Sequence, residues 1–381
     1  MIRTRRAAPQ VGSDRHALTF GLGILTGQTR PGSGMSVSDE YRALISISRA
    51  AESLGFDSVW LSEHHGADDA YLPSLLPMLA AIASVTERVR LGTAILIPAL
   101  CHPIELAESV AVVDQISRGR VILGLGLGWR REEFATFGIP FSERAGRTAE
   151  IIGILRRLWS DAPAPFRGRY YQLDRMRIRP LPYRSGGPPI YLAGSKEKPI
   201  RRAAALADGL FYSRSGPTAA SVQPTFGHVE SALRWIEDER SQRGAMGSFP
   251  LTLLVNAFVS KSDPWAIIGD GVDHQFLAYA RWKKEDAGLA MSPEDELEAV
   301  RNGRLLMLAG DPGTLVSGLG PWIDVLLPHC PLNLVVKMHY PGVGENRTIE
   351  ALELFAKEVM PQLKGRATGD AAPASNAYAT G

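Results

Sequence analysis

Cysteine is scarce in this chain of 381 residues, which has only Cys101 and Cys330, in unrelated contexts. They form no CxxC or zinc-type spacing, so neither a disulfide framework nor a cysteine-rich metal site is expected. A reducing, cytoplasmic compartment is the natural setting. An excess of one charge is lacking too. The 42 Lys and Arg are scattered among 40 Asp and Glu, giving a net charge of +2, which leaves no long-range field to attract nucleic acid. No uninterrupted apolar stretch is long enough to span a bilayer, so no membrane role is expected. Residues 1–16 carry Arg3, Arg5, Arg6 and Arg15 but no apolar run or small-residue cleavage site, which reads as a disordered arm rather than a signal peptide. The tail at 365–381, rich in Ala, Thr, Gly and Ser, is expected to be disordered as well.

What is present is an ordinary globular composition, 45% hydrophobic and 22% charged, in which short apolar runs alternate with helical patterns. That rhythm predicts βα units and a parallel sheet. Strands are expected at 18–25, 58–61, 89–97, 121–125, 189–193, 209–212, 251–259 and 332–339. Helices are expected at 39–54 with Ser38 as cap, at 75–85, at 103–116 opened by Pro103, at 144–159 and at 348–363. Eight strands with intervening helices fit a closed (β/α)8 TIM barrel over 17–364 better than an open sheet. The charged segment 261–303 is too long for a plain connection and reads as an insertion between strands seven and eight. An arginine-rich stretch at 166–182 suggests a small hairpin excursion.

In such a barrel the chemistry lies at the C-terminal strand ends. The second strand ends in Glu63-His64-His65. Adjacent strand residues face opposite sides, so only one of the two imidazoles enters the mouth. This weakens a shared metal site, and no further ligands are evident, so no metal is expected. An imidazole at a reaction centre suits proton transfer near neutral pH; the plainer reading packs one His and solvates the other. The run Gly124-Leu125-Gly126-Leu127-Gly128 lacks the third glycine spacing of a dinucleotide loop. It removes side chains where a planar ligand or a neighbouring strand comes close. Gly194-Ser195, between a strand and a helix, offers N–H groups and a hydroxyl to a phosphate, or is a simple helix cap.

These pieces, in this order, resemble the luciferase-like monooxygenase family over residues 18–363. The signs are Gly55-Phe56-Asp57-Ser58-Val59-Trp60 leading into Glu63-His64-His65, and Arg90-Leu91-Gly92-Thr93-Ala94. Then come His102-Pro103, Asp114-Gln115-Ile116-Ser117-Arg118-Gly119-Arg120, Gly126-Leu127-Gly128-Trp129 with Glu133-Phe134, and Pro189 through Ser195. The resemblance implies a barrel that binds FMN, or the deazaflavin F420, at the strand ends. His64 matches the histidine near the flavin reaction centre, and Thr93, Ala94 and Ile95 the strand-three bulge with its non-proline cis peptide. Gly194 and Ser195 match the phosphate turn and Arg144 or Arg147 the phosphate arginine, while Gly126 and Gly128, as glycines at the end of strand four, are expected to leave room for the cofactor. Where bacterial luciferase has a reactive cysteine and an arginine in strand four, this chain has Gly126 and Leu127, which argues against bioluminescence.

The resemblance further implies a monooxygenase that uses reduced FMN and O2 to oxygenate a small organic substrate. No nicotinamide fingerprint is visible, so a separate flavin reductase is an expected partner, and a homo-oligomer, a dimer, is expected. The alternative on the same fold is an F420-dependent hydride-transfer oxidoreductase. A metal-dependent barrel hydrolase or a non-catalytic flavin-binding barrel fits the residues less well. The mouth is expected to be roofed by the loop 27–34, the excursion at 166–182 and the insertion.

Overall fold

The computed structural model describes residues 16–161, 165–174, 176–213 and 226–368. The expected N-terminal arm, apart from His16, and positions 369–381 lie outside the described residues. Eight strands form the sheet that matters: β1 (Leu18–Leu25), β2 (Ser58–Leu61), β3 (Arg90–Thr93), β4 (Val121–Leu125), and, after a hairpin of β5 (Phe166–Arg167) and β6 (Gln172–Leu173), β7 (Ile190–Ala193), β8 (Gly209–Ser213), β9 (Leu251–Val259) and, past the short β10 (Leu308–Gly310), β11 (Leu332–Lys337). They pair in parallel as β1-β2-β3-β4-β7-β8-β9-β11, and β11 returns to β1. The sheet is therefore closed, the (β/α)8 TIM barrel expected from the strand rhythm.

Around it run α1 (Val37–Ser53), α2 (Leu75–Val85), α3 (Pro103–Ser117), α4 (Arg131–Thr136), α5 (Arg144–Trp159), α6 (Glu197–Leu206) and α7 (Phe226–Gln242). The connection from β9 to β11 holds α8 (Trp265–Asp286), α9 (Pro293–Leu305), β10 and α10 (Pro312–Leu326); the chain closes with α11 (Glu345–Leu354), a π turn at Phe355–Val359 and α12 (Met360–Thr368). The insertion thus extends past 303, because β10 adds to the overhanging end of β9 at Ala257–Val259 before α10 resumes the barrel.

Several boundaries differ from the sequence reading for identifiable reasons. The cap of α1 is Ser36, not Ser38: Ser36 Oγ accepts the Asp39 N–H while the Asp39 carboxylate accepts the Ser36 N–H, a reciprocal pairing that leaves Ser38 inside the first turn. The third strand stops at Thr93 instead of running to Ile97. Its ladder to β4 covers only Leu91 and Gly92, the Ala94–Ile95 peptide is cis, and Leu96 rejoins the sheet at a lone bridge to Leu125. A second non-proline cis bond, Gly23–Ile24, carried no sequence signal. The last strand ends at Lys337, since the His339 imidazole is taken by Glu40 (2.6 Å) and Thr348 (2.8 Å). Residues 365–368, expected in the tail, are helical. The excursion at 166–182 does not roof the mouth. Its tip is laid along α5, where the Glu150 carboxylate accepts the N–H groups of Arg169, Tyr170 and Tyr171 at 2.7–3.1 Å.

The barrel interior is filled by Trp60, Ile122, Tyr191, Phe211, Leu254 and Val335, a packed core with no axial pore. Trp60 sets the local sequence. A Cβ at Gly92 would stand 2.1 Å from its ring, so β3 can pass the indole only without a side chain there. Gly92→Ala should therefore lower stability by about 1–3 kcal/mol through overpacking. Chemical denaturation with an unchanged midpoint would show that the indole is free to shift.

Candidate active site

The C-terminal end of β2 delivers the two histidines to opposite sides. His64 is 6% exposed and lies inside the mouth, while His65 turns outward against the Phe137 ring at 4.8 Å. One carboxylate fixes both. Glu133, buried on α4, has its Oε1 2.8 Å from His64 Nδ1 and 2.9 Å from the His65 backbone N. A carboxylate only accepts, so Nδ1 carries the proton and Nε2 is left as a proton acceptor. The imidazole is walled by aromatic rings: Tyr71 and Trp282 at 4.8 Å, Tyr279 at 5.5 Å and Trp129 at 5.8 Å between centroids. Tyr71 Oη donates to Ser62 Oγ and meets Tyr279 Oη at 3.1 Å. Burial pushes the Tyr279 phenol up to about 12, so neither wall nor ceiling ionises near neutral pH.

Behind Trp282 the Arg130 guanidinium stacks on the indole at 4.8 Å and donates to the His65 carbonyl. Arg130 and Trp282 also line a cavity of about 950 Å³ with Arg30, Asp69, His274 and Asp286. The loop after β1 and the insertion helix α8 build this cavity, so two of the three expected roof elements are present.

The other expected residues divide into two places. Thr93 is fully buried, its hydroxyl bound to the Gly124 carbonyl at 2.6 Å. Ala94, Ile95, Ile24 and Ala193 cap the interior core, the last three only partly buried, and present an apolar shelf. Gly126 serves Ile95 rather than a ligand directly, since a Cβ there would fall 1.8 Å from Ile95 Cδ1. Gly128 turns the chain at φ +73° beneath Phe134.

On the flank between α5 and α6 stands a cationic group. Arg144 lies 3.8 Å over the Phe141 ring and Arg131 lies 4.4 Å over the same ring. Burial and the charges of Arg131 and Arg202 hold the Arg144 pKa below its ordinary value, and its buried Nε has no hydrogen-bond partner. Arg147 differs: Glu143 neutralises it at 2.8 Å. Gly194 and Ser195 lead into α6, whose first turn packs so closely that a Cβ on Gly194 would sit 2.9 Å from Pro199. The Ser195 carbonyl is held by His228 Nε2 at 2.7 Å. The N-cap residue Lys196 makes no side-chain capping bond, so among the described residues no side chain takes the first N–H groups of α6, beside Lys196 and Lys198. An apolar shelf, an arginine cluster in which Arg144 has no carboxylate partner among the described residues, and the start of α6 fit a flat ring with an anionic tail. Among the described residues, no group of three or more His, Cys, Asp or Glu is placed to hold a metal, and no helix is long and apolar enough to cross a membrane.

Sequence reasoning passed over Glu133 as a partner, the α8 aromatics, Arg131, Arg202 and Lys337. Lys337 had a visible signal, a charged residue inside an apolar strand. The α8 residues had none, because a helix laid over the mouth shows no distinctive spacing.

Fold and site together define a parallel-barrel oxidoreductase. A family model described as luciferase-like monooxygenase matches residues 19–253, and the chain belongs to that family. It is 27% identical to an F420-dependent glucose-6-phosphate dehydrogenase of Nakamurella multipartita, over 84% of this chain and 92% of that one. A monooxygenase from Streptomyces bottropensis superposes with a TM-score of 0.74 at 21% identity, over 90% of this chain and 99% of that one. The F420-dependent tetrahydromethanopterin reductase of Methanopyrus kandleri gives 0.67 at 20% identity, over 91% and 99%.

Burial raises the Glu133 pKa, but the hydrogen bond and charge of His64 and the His65 N–H outweigh it and leave the pKa below its ordinary value. The stability this contributes is complete above the ordinary carboxylate pKa of about 4.3 and is lost as pH falls through the lower folded value. Glu133→Gln keeps an acceptor but no charge. It should be less stable than the wild type by about 1–2 kcal/mol near neutral pH, with the gap closing as pH falls below the ordinary carboxylate range. Denaturation midpoints across that range measure this; a constant gap would contradict the charged pairing.

Proposed function

We propose that this protein is an F420-dependent oxidoreductase that transfers a hydride between the deazaflavin and a hydroxyl-bearing carbon of a small organic substrate. The observation that carries this is the match, along 84% of the chain, to a dehydrogenase named for F420. That favours hydride transfer over the FMN-based oxygen transfer to which the motif resemblance first leads. It also removes the need for a separate flavin reductase, which belongs to the FMN reading.

The cofactor, when bound, supplies the hydride acceptor. Everything else falls to the chain. Arg144, with Arg131 and Arg202 beside it, and the open start of α6 would hold the phosphate. Ile24, Ile95 and Ala193 would carry the ring. His64 Nε2 would take the proton from the substrate hydroxyl as the hydride leaves. Glu133, already bonded to Nδ1, would stabilise the imidazolium that forms. Tyr71, Tyr279 and Trp282 keep bulk water from the imidazole.

F420 should quench on titration into the purified protein. Arg144→Ala should weaken binding by about 1–3 kcal/mol through loss of charge-assisted hydrogen bonds, and Arg147→Ala, already paired with Glu143, far less. Equal losses would reassign the phosphate contact. With glucose 6-phosphate as the first substrate tried, His64→Ala should cut turnover by about 10²–10⁴-fold and leave F420 affinity nearly unchanged. Binding of FMN with oxygen-dependent product formation, and none of F420, would sink hydride transfer and restore the monooxygenase reading.

A further inference from the structure

We propose that Lys337 is the donor that receives a negatively charged oxygen in the barrel mouth, with the amides of Gln275 and Gln28 transmitting the charge of Asp69 to it. The inference deepens the proposed function and rests on it for the source of that oxygen. Placement comes first. Val335 belongs to the interior core, and Lys337, two residues on, faces the same way one layer higher. Its register partner on β9 is Asn256.

The amine is 2% exposed, and among the described residues no carboxylate pairs with it directly. Nζ donates to Gln275 Oε1 at 2.6 Å, Gln275 Nε2 donates to Gln28 Oε1 at 2.8 Å, and Gln28 Nε2 donates to Asp69 Oδ2 at 2.7 Å. Both amides therefore point their oxygens toward the lysine and their N–H groups toward the carboxylate. The aligned dipoles form an ion pair at a distance, with His274 Nε2 closing its outer end on Asp69 at 3.1 Å. Tyr340, 5.1 Å away from Nζ, gives the amine a π face and no charge.

An ammonium has three N–H donors, and among the described residues only one is used. Burying such a group without a direct counter-ion is costly, and burial brings its pKa down to about 7. A purely structural position would be filled more cheaply by methionine. An arriving anionic oxygen supplies the missing partner. Two sources share that chemistry. One is the pyrimidine carbonyl edge of the cofactor, where negative charge is concentrated in the reduced ring. The other is the substrate oxygen as its proton leaves.

The test uses full-length Lys337→Met, Lys337→Arg and Asp69→Asn. Oxidised and reduced F420 and FMN are titrated anaerobically, and kcat and KM are measured with glucose 6-phosphate. If the cofactor is the source, Lys337→Met should weaken the reduced form about 10-fold more than the oxidised form. Asp69→Asn should move the same ratio about 2–5-fold, and Lys337→Arg should restore part of it. If the substrate is the source, both cofactor affinities hold while kcat/KM falls by a similar factor and recovers in part in Lys337→Arg. Equal losses for both redox states with unchanged kcat/KM, or no change at all, would overturn the donor role. Asp69→Asn also guards against a Lys337→Met protein that fails to fold, and an unmoved affinity ratio together with an unmoved kcat/KM there overturns the relay. A wild type that binds neither cofactor overturns the proposed function and this inference together.

Discussion

The mouth of the barrel depends on one buried carboxylate. Glu133 Oε1 meets both His64 Nδ1 and the His65 N–H, so a single atom sets the orientation of one imidazole and the direction in which the backbone leaves β2. Strand parity decides that the two histidines part; Glu133 decides which nitrogen of the inner one stays free. The arrangement is over-determined from outside. Arg130 ties the His65 carbonyl, and Asp286 on α8 accepts the N–H groups of Arg131 and Glu132 at the start of the helix that carries Glu133.

That last contact shows why the insertion is part of the site and not an ornament on it. Gln275, Tyr279 and Trp282 fall at helical spacings of four and three, so they share one face of α8. That face descends on the mouth, where Gln275 meets Lys337, Tyr279 meets Tyr71, and Trp282 meets His64. Three polar or aromatic contacts along one stripe fix both the height and the rotation of the helix. The barrel core thus receives a lid whose inner face is built from Gln275, Tyr279 and Trp282.

The fold was legible because its signal is repetitive: each strand is a short apolar run and each helix a periodic stripe, so errors at single residues do not accumulate. The errors occur where one interaction overrides the local pattern, as when Asp39 selects Ser36 over Ser38, or His339 is drawn off the end of β11 by Glu40. His64 was legible from strand parity plus family motif. Glu133 was visible only as part of a motif, because what gives it meaning is a contact across 69 residues. Arg144 and Arg147 were indistinguishable in sequence, one turn apart on the same helix. They separate only when the partner at 143 is seen to take Arg147 and leave Arg144.

The distribution of charge then gives the site its direction. At the α5–α6 flank cations gather, among the described residues no carboxylate pairs with Arg144, and burial with the charges of Arg131 and Arg202 lowers its pKa; an anionic tail relieves that repulsion. Elsewhere in the mouth Lys337 is deeply buried and linked through two amides to the Asp69 carboxylate on the cavity wall. The mouth also holds an uncharged shelf and an imidazole enclosed by aromatic rings. A ligand with a fixed anionic end, a flat apolar middle and a charge-accepting far edge satisfies all three regions at once, and a ligand lacking any of these leaves one of them unsatisfied. The proposed binding of a flat, anionic-tailed cofactor and the role of Lys337 therefore rest on the same physical ground, the placing of positive charge at two separated points of one barrel mouth.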